Sequence, residues 1–248
     1  MEIDQETRDN IQNFVTSIGK CNQKESQIYL SEILEDNQFL DSIGKKGNNM
    51  GGKQPFSLKV LAIDRPSYLA LYVLCRALKP EIAVETGVAS GMSSSYILRA
   101  LDKNQKGKLC SIDVPWHTVT QNWKPHFSDE TLTAMPIEKT PGWIIPEFIK
   151  SRWELTIGRS YDKLPQLLNN SGPIDFFFHD SEHTYENMTW EFKTIWPQLK
   201  KGGILLSHNI EANSAFADFE KSVGGNTFRV TGKNTDGWTV TTGAKIKS

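Results

Sequence analysis

The chain lacks any run of apolar residues approaching the roughly 18 needed to span a bilayer, so no membrane-crossing segment is expected. A secretory leader is not expected either. The opening Met1-Glu2-Ile3-Asp4-Gln5-Glu6 is acidic and polar, the opposite of a secretory signal. Cysteine is scarce. Cys21, Cys75 and Cys110 are widely spaced and form no CxxC pair, which predicts reduced thiols in a cytoplasmic setting rather than a disulfide framework or a zinc knot. Cys75 and Cys110 fall in apolar segments and read as core. An excess of one charge is missing too: 28 Lys and Arg against 29 Asp and Glu leave a formal net charge of -1. No global field draws such a chain to nucleic acid or to an anionic membrane, and neither partner is expected. The closing Lys245 and Lys247 read as a solvated terminus. There is no internal repeat and no low-complexity tract.

What is present is an ordinary globular composition, 38% hydrophobic and 23% charged over 248 residues, enough for one large α/β domain with a short extension. Residues 1–64 read as an N-terminal helical extension ending in a glycine-rich loop. Ile11, Phe14, Val15 and Ile18 recur at helical spacing, and Leu30, Ile33 and Leu34 mark a second amphipathic stretch. These helices are expected to pack on the domain, with a homodimer contact as the alternative. The stretch from Gly44 to Gly52 predicts a loop that could order over a ligand. Residues 65–248 form the expected main domain, opening with a helix from Pro66 to Leu78.

From residue 81 short apolar runs alternate with helical patterns. The runs are Ile82–Val84, Leu109–Ile112, Glu154–Ile157, Ile174–Phe178 and Ile204–Leu206, with helices expected over Ser93–Leu101, Ser160–Leu168 and Tyr185–Leu199. Continuous rather than alternating apolar runs suit a sheet buried on both faces, and the strand–helix–strand order implies right-handed crossovers. The fold expected is therefore α/β, doubly wound, with a mostly parallel sheet. Phe228–Val230 and Trp238–Thr241 flank a polar turn and predict a C-terminal antiparallel hairpin. An insertion at about 115–146, with Trp116, His117, Trp123, His126 and Trp143, is expected to cover substrate.

The strongest local signal is Val84-Glu85-Thr86-Gly87-Val88-Ala89-Ser90-Gly91-Met92-Ser93-Ser94, a glycine turn that follows a strand and opens a helix. Glycines let backbone approach a ligand closely, and the helix's unpaired N–H groups favour an anionic group. The next strand ends at Asp113, where nucleotide-binding α/β folds place an acid on ribose hydroxyls. A dinucleotide site is disfavoured because Gly87-Val88-Ala89-Ser90-Gly91 lacks the middle glycine that admits a pyrophosphate.

Taken together, Glu85-x-Gly87-x-x-x-Gly91-x-Ser93, then Ser111-Ile112-Asp113, then Gly158-Arg159-Ser160-x-x-x-Leu164-Pro165-x-Leu167 resemble class I S-adenosylmethionine-dependent methyltransferases, which have a Rossmann-like fold. Phe177-Phe178-His179-Asp180-Ser181-Glu182-His183-Thr184-Tyr185-Glu186, followed by Trp196-Pro197-x-Leu199-x-x-Gly202-Gly203-x-x-Leu206, resembles the family 24 group. Macrocin-type and catechol-type small-molecule O-methyltransferases are similar. The resemblance implies S-adenosylmethionine as cofactor and a small-molecule acceptor with a hydroxyl. It places Glu85, Thr86 and Gly87, with Gly91 and Ser93, around the methionine part, and Asp113 on the ribose. Gly158, Arg159 and Ser160 fall near the adenine, and Asp180 faces the reacting centre.

One departure stands out. Metal-using relatives complete a divalent site with an Asp-Asn pair after the fifth strand, whereas this chain has Ser207-His208-Asn209. Histidine suits softer ions than Mg²⁺. Either the metal differs, or none is used and His208 does acid–base work; the second alternative is preferred, with the metal left open. Asp180, His183 and His208 are thus the candidate catalytic residues, a near-neutral imidazole being able to take a hydroxyl proton. His179 is expected to point away from Asp180 by strand alternation. The rival readings are a non-catalytic cofactor-binding module and an NAD-dependent oxidoreductase.

Overall fold

The computed structural model describes residues 2–48, 65–114, 139–233 and 239–248. Three helices come first: α1 (Gln5–Ser17), α2 (Gln23–Leu34) and α3 (Asn37–Asn48). Asp4 caps α1 by accepting from Thr7 N, and Asn22 with Glu25 forms a complete capping box on α2. Helix α3 runs through Gly44 and Gly47, where the sequence suggested a loop had begun. Its apolar side explains this: Phe39 and Ile43 are buried one turn apart, and the Asp36 carboxylate caps it through Phe39 N. Tertiary packing of that face outweighs the intrinsic cost of glycine. The rest of the expected glycine-rich loop lies outside the described residues.

The main domain follows as α4 (Arg65–Leu78), β1 (Ile82–Thr86), α5 (Met92–Asn104), β2 (Lys108–Asp113), a 3₁₀ turn (Glu147–Arg152), β3 (Trp153–Ile157), α6 (Ser160–Ser171), β4 (Ile174–His179), α7 (Tyr185–Ile195), β5 (Leu199–Ser207), α8 (Ala215–Val223), β6 (Thr227–Lys233) and β7 (Thr239–Ile246). The seven strands form one sheet in the order β3-β2-β1-β4-β5-β7-β6. The first five run parallel; β7 pairs antiparallel with both β5 and β6. This is the doubly wound, Rossmann-like architecture with a C-terminal antiparallel pair. Phe176, Phe177 and Phe178 are all 0% exposed, so β4 is covered on both faces. One core joins the sheet to α4, α5 and the three N-terminal helices, and the other joins it to α6, α7 and α8.

Two local expectations are corrected, and one helix is added. Helix α7 stops at Ile195, and Trp196–Gln198 is a 3₁₀ turn leading into β5 at Leu199. Pro197 has no N–H to continue the ladder and crowds the preceding turn. Helix α8, with Phe216 and Phe219 buried one turn apart, went unread. Lys245 is no solvated tail residue. It is 1% exposed inside β7, with Nζ donating to the Gly224 carbonyl (2.6 Å), the Gly225 carbonyl (3.0 Å) and Thr227 Oγ1 (3.2 Å). An interior strand leaves the long side chain no route to water, and three oxygens meet its charge instead. Cys75 and Cys110 are buried and free, as expected. Among the described residues, no helix is long and apolar enough to cross a membrane.

Candidate active site

The register of the parallel strands sets the site. Thr86 pairs with Ile112 on one side and His179 on the other, and His179 pairs with Ser207. Hydrogen bonds then carry the ladder one residue beyond the strands: Gly87 N to the Ile112 carbonyl (2.9 Å), Asp180 N to Thr86 (2.8 Å), His208 N to His179 (2.9 Å) and Gly158 N to Asp113 (2.9 Å). Gly87, Asp113, Asp180 and His208 therefore emerge together at the carboxyl edge, where open α/β sheets bind ligands.

Gly87 (φ +84°) and Gly91 (φ +95°) adopt left-handed backbone, and the close approaches there are between parts of the protein itself. A Cβ on Gly87 would lie 2.0 Å from the Asp180 carbonyl oxygen, and one on Gly91 would lie 2.7 Å from Gly142 Cα. Glycine at 87 lets the β1 turn pass against the β4 turn. Gly87→Ala is accordingly expected to destabilise the fold by about 1–3 kcal/mol, from left-handed strain and overpacking. Thermal unfolding checks this, and an unchanged melting temperature would show that the turn can yield.

Asp113 fastens the same turn, its Oδ2 accepting from Val88 N (2.9 Å) and Ala89 N (2.6 Å). Burial raises its pKa, opposed by the N–H groups of Ala89, Val88 and Val114 and assisted by the charge of Asp180. Glu85 is 0% exposed beneath the turn. Its carboxylate accepts from Ser93 Oγ (2.6 Å), Ser94 Oγ (2.6 Å) and Ser111 Oγ (2.8 Å). Burial pushes this carboxyl up to about 7 despite those hydroxyls, and the Asp180 charge adds to the shift. Ser93 is thus tied to Glu85 from the first turn of α5, whose N-cap, Gly91, offers no side-chain capping bond.

Asp180, His183 and His208 come together as the sequence suggested. His208 Nδ1 lies 3.0 Å from Asp180 Oδ1, and His183 Nε2 lies 3.7 Å from the same oxygen. Their side chains are 25% (Asp180), 14% (His183) and 11% (His208) exposed, open enough to meet a ligand. Burial works to raise the Asp180 pKa, but the charge and hydrogen bond of His208, with the other nearby imidazoles adding less, hold it below the usual carboxylate value. Burial pushes His183 down to about 3, with the neighbouring imidazoles adding, so this ring stays neutral at ordinary pH.

His179 faces the other side of the sheet, as alternation predicts, with Nδ1 2.7 Å from Glu191 Oε2. Glu191, on α7, was missed by the sequence reading. It is 0% exposed and also accepts from Thr86 Oγ1 (2.6 Å) and Ser181 Oγ (2.8 Å). Thr86 is thereby committed to this buried knot. Ser160 Oγ turns inward toward Asn187 Oδ1 at 3.4 Å, while Arg159 is exposed and Gly158 has φ +149°. Of the expected insertion, only residues 139–146 are described, and His117, His126, Trp116 and Trp123 lie outside the described residues. The described part docks on the glycine turn, with Gly142 N donating to the Ala89 carbonyl (3.0 Å) and Ile144 N to that of Ser90 (3.1 Å).

Sheet order, glycine turn and strand-end acids together define a class I methyltransferase fold. Residues 84–210, just over half of the chain, match the methyltransferase-domain family 24, and the chain belongs to that family. Solved structures share its fold at low identity. The O-methyltransferase TomG of Streptomyces achromogenes, involved in tomaymycin synthesis and solved with S-adenosylmethionine, is 17% identical, with TM-score 0.59 over 89% of this chain and 95% of its own. An O-methyltransferase from Bacillus cereus, solved with S-adenosylhomocysteine, is 14% identical, with TM-score 0.53 over 88% and 96%. The Podospora anserina methyltransferase PaMTH1, also bound to S-adenosylhomocysteine, is 15% identical, with TM-score 0.50 over 84% and 88%. No curated protein matches the chain.

Proposed function

We propose that this chain transfers the methyl group of S-adenosylmethionine to a hydroxyl of a small molecule. The observation that carries the reading is the convergence of Glu85, Asp113 and Asp180 at neighbouring strand ends, beside a helix whose first turn has no side-chain cap. Burial raises the pKa of both Glu85 and Asp113, and the Asp180 charge adds to it. With Glu85 shut beneath the turn, Asp113 and Asp180 are the acids left at the edge for a cation. S-adenosylmethionine carries a sulfonium and an ammonium for those acids, and a carboxylate for the α5 N-terminus. Asp113 then serves twice, holding the turn and meeting the ribose hydroxyls. Ile157, 49% exposed at the tip of β3 and paired in register with Asp113, offers an apolar surface for the adenine beside Gly158 and Arg159.

When bound, S-adenosylmethionine supplies a methyl already activated on positive sulfur. The protein's share is to align the acceptor in line with that methyl, exclude water and draw off the hydroxyl proton. Asp180, His183 and His208 stand where the acceptor must approach. Asp180 and His208 orient the hydroxyl and take up its proton, with neutral His183 beside the same Asp180 oxygen.

Thermal unfolding with S-adenosylmethionine, S-adenosylhomocysteine, NAD and NADP tests the cofactor. Either adenosyl compound at about 100 times its dissociation constant should stabilise the fold by roughly 2.7 kcal/mol. A response to the nicotinamide compounds alone would overturn the reading.

A further inference from the structure

We propose that Asp180, His183 and His208 form a binding site for one divalent first-row transition-metal ion, and that Mg²⁺ is not its natural occupant. The inference rests on the proposed function above and changes one part of it: the side chains are the same, but an imidazole that ligates an ion no longer takes up the acceptor's proton. Their ligand atoms (one carboxylate oxygen and two imidazole nitrogens) all lie within 4.8 Å of one another, and among the described residues this is the one such cluster. Metal bonds of about 2.0–2.2 Å place tetrahedral ligand atoms about 3.4 Å apart. The two separations from Asp180 Oδ1, 3.0 and 3.7 Å, bracket that value. Little rearrangement would close the three donors around an ion.

A second observation points the same way. His183 Nε2 is shut off from solvent and has no hydrogen-bond partner, although it sits beside a carboxylate. A buried ring nitrogen left unpaired costs free energy unless something binds it. The surroundings hold the rings in place. His183's carbonyl accepts from Asn213 Nδ2 (3.0 Å), its ring packs edge-on against His179 at 5.2 Å, and His208 follows directly on the β5 ladder. Asn209, next in sequence, has φ +49°, a backbone geometry that sites of function often impose.

The donor set decides the class of ion. Mg²⁺ seeks oxygen ligands in a near-octahedral shell and binds imidazole poorly, and here two of the three donors are nitrogen. Two histidines and one carboxylate with open positions suit Zn²⁺, Co²⁺, Fe²⁺ or Ni²⁺. When bound, such an ion polarises an oxygen presented at its open positions.

The test uses the whole chain after removal of metals with a chelator. Co²⁺ is added while its visible absorption is followed, and Zn²⁺ and Mg²⁺ are titrated by calorimetry. One Co²⁺ or Zn²⁺ per chain is expected, with affinity falling at least about 100-fold in His183→Ala and in His208→Ala, and Mg²⁺ failing to displace Co²⁺. Retained S-adenosylhomocysteine binding shows that each variant is folded, and His208→Gln, which keeps the volume, replaces an unfolded alanine variant. Uptake of Zn²⁺ and Co²⁺ that ignores these substitutions, or Mg²⁺ binding as tightly as Zn²⁺, overturns the proposal. No metal uptake alongside a clear S-adenosylhomocysteine response sinks the ion site and leaves methyl transfer standing. Metal uptake without any adenosyl response does the reverse.

Discussion

Asp180→Asn is expected to lower turnover by about 10²–10⁴-fold while the protein stays folded, the range seen when a positioned acid–base group is lost. Asparagine keeps the volume and can still accept a hydrogen bond, so the β4 edge and its ladder bond from Asp180 N to Thr86 should survive. What disappears is the charge. Asp180 is held ionised against its burial chiefly by His208, and it is the group whose oxygen both site imidazoles face. A neutral amide can neither balance an imidazolium after proton uptake nor complete the cation-attracting edge with Asp113. The effect should fall mainly on kcat, with S-adenosylhomocysteine affinity changing much less. The double variant Asp180→Asn with His208→Ala should lose little more than either alone, because groups acting as one unit are not additive. Turnover within a few-fold of the unaltered enzyme would remove Asp180 from the reacting centre.

Much of the scaffold could be read from residue order because the physics there is local or periodic. Ile174–Phe178 announces a strand buried on both faces, and the glycine turn between Glu85 and Ser93 announces where a strand gives way to a helix. Asp113, Asp180 and His208 were placed at strand ends by the same logic. Their convergence was not readable, for it depends on the register that sets Thr86 against His179 and His179 against Ser207. Helix α3 hid behind Gly44 and Gly47, whose low propensity is overridden by packing of Phe39 and Ile43. Lys245 looked like a tail because no local pattern shows that β7 inserts between β5 and β6. The reason for Gly87 was also non-local, its missing Cβ making room for the Asp180 carbonyl nearly a hundred residues away. Glu191 was the hardest case. It sits among Trp190, Phe192 and Lys193 in an ordinary amphipathic helix, and only the crossover packing of α7 on β4 gives it His179 as a partner.

That partnership makes Glu191→Ala the substitution expected to cost the most stability, about 3–5 kcal/mol, from a new cavity together with several buried donors left without their acceptor. Both Glu191 and His179 are 0% exposed. A carboxylate can only accept, so its bond with His179 fixes the ring proton on Nδ1. Truncation to alanine leaves His179 Nδ1, Thr86 Oγ1 and Ser181 Oγ without their shared acceptor, and opens a cavity between α7 and the sheet. Glu191→Gln keeps the volume and one acceptor oxygen and should cost less, about 1–2 kcal/mol, close to a single charge-assisted hydrogen bond. The pH dependence separates charge from shape. Burial works to raise the Glu191 pKa, yet the charge and hydrogen bond of His179, with bonds from Ser160 and Thr86, hold it below the ordinary carboxylate value. A carboxyl depressed in the folded state contributes stability that is present above its unfolded pKa of about 4.3 and is lost as pH falls through the lower folded value. Urea unfolding of the unaltered chain and Glu191→Gln should therefore show a gap that is widest near neutrality and narrows below about pH 4. Because Glu191 ties Thr86, His179 and Ser181 directly behind Asp180, the same variant should lower kcat even where it remains folded. A gap unchanged between neutral and acid pH would mean that Glu191 acts there by shape alone.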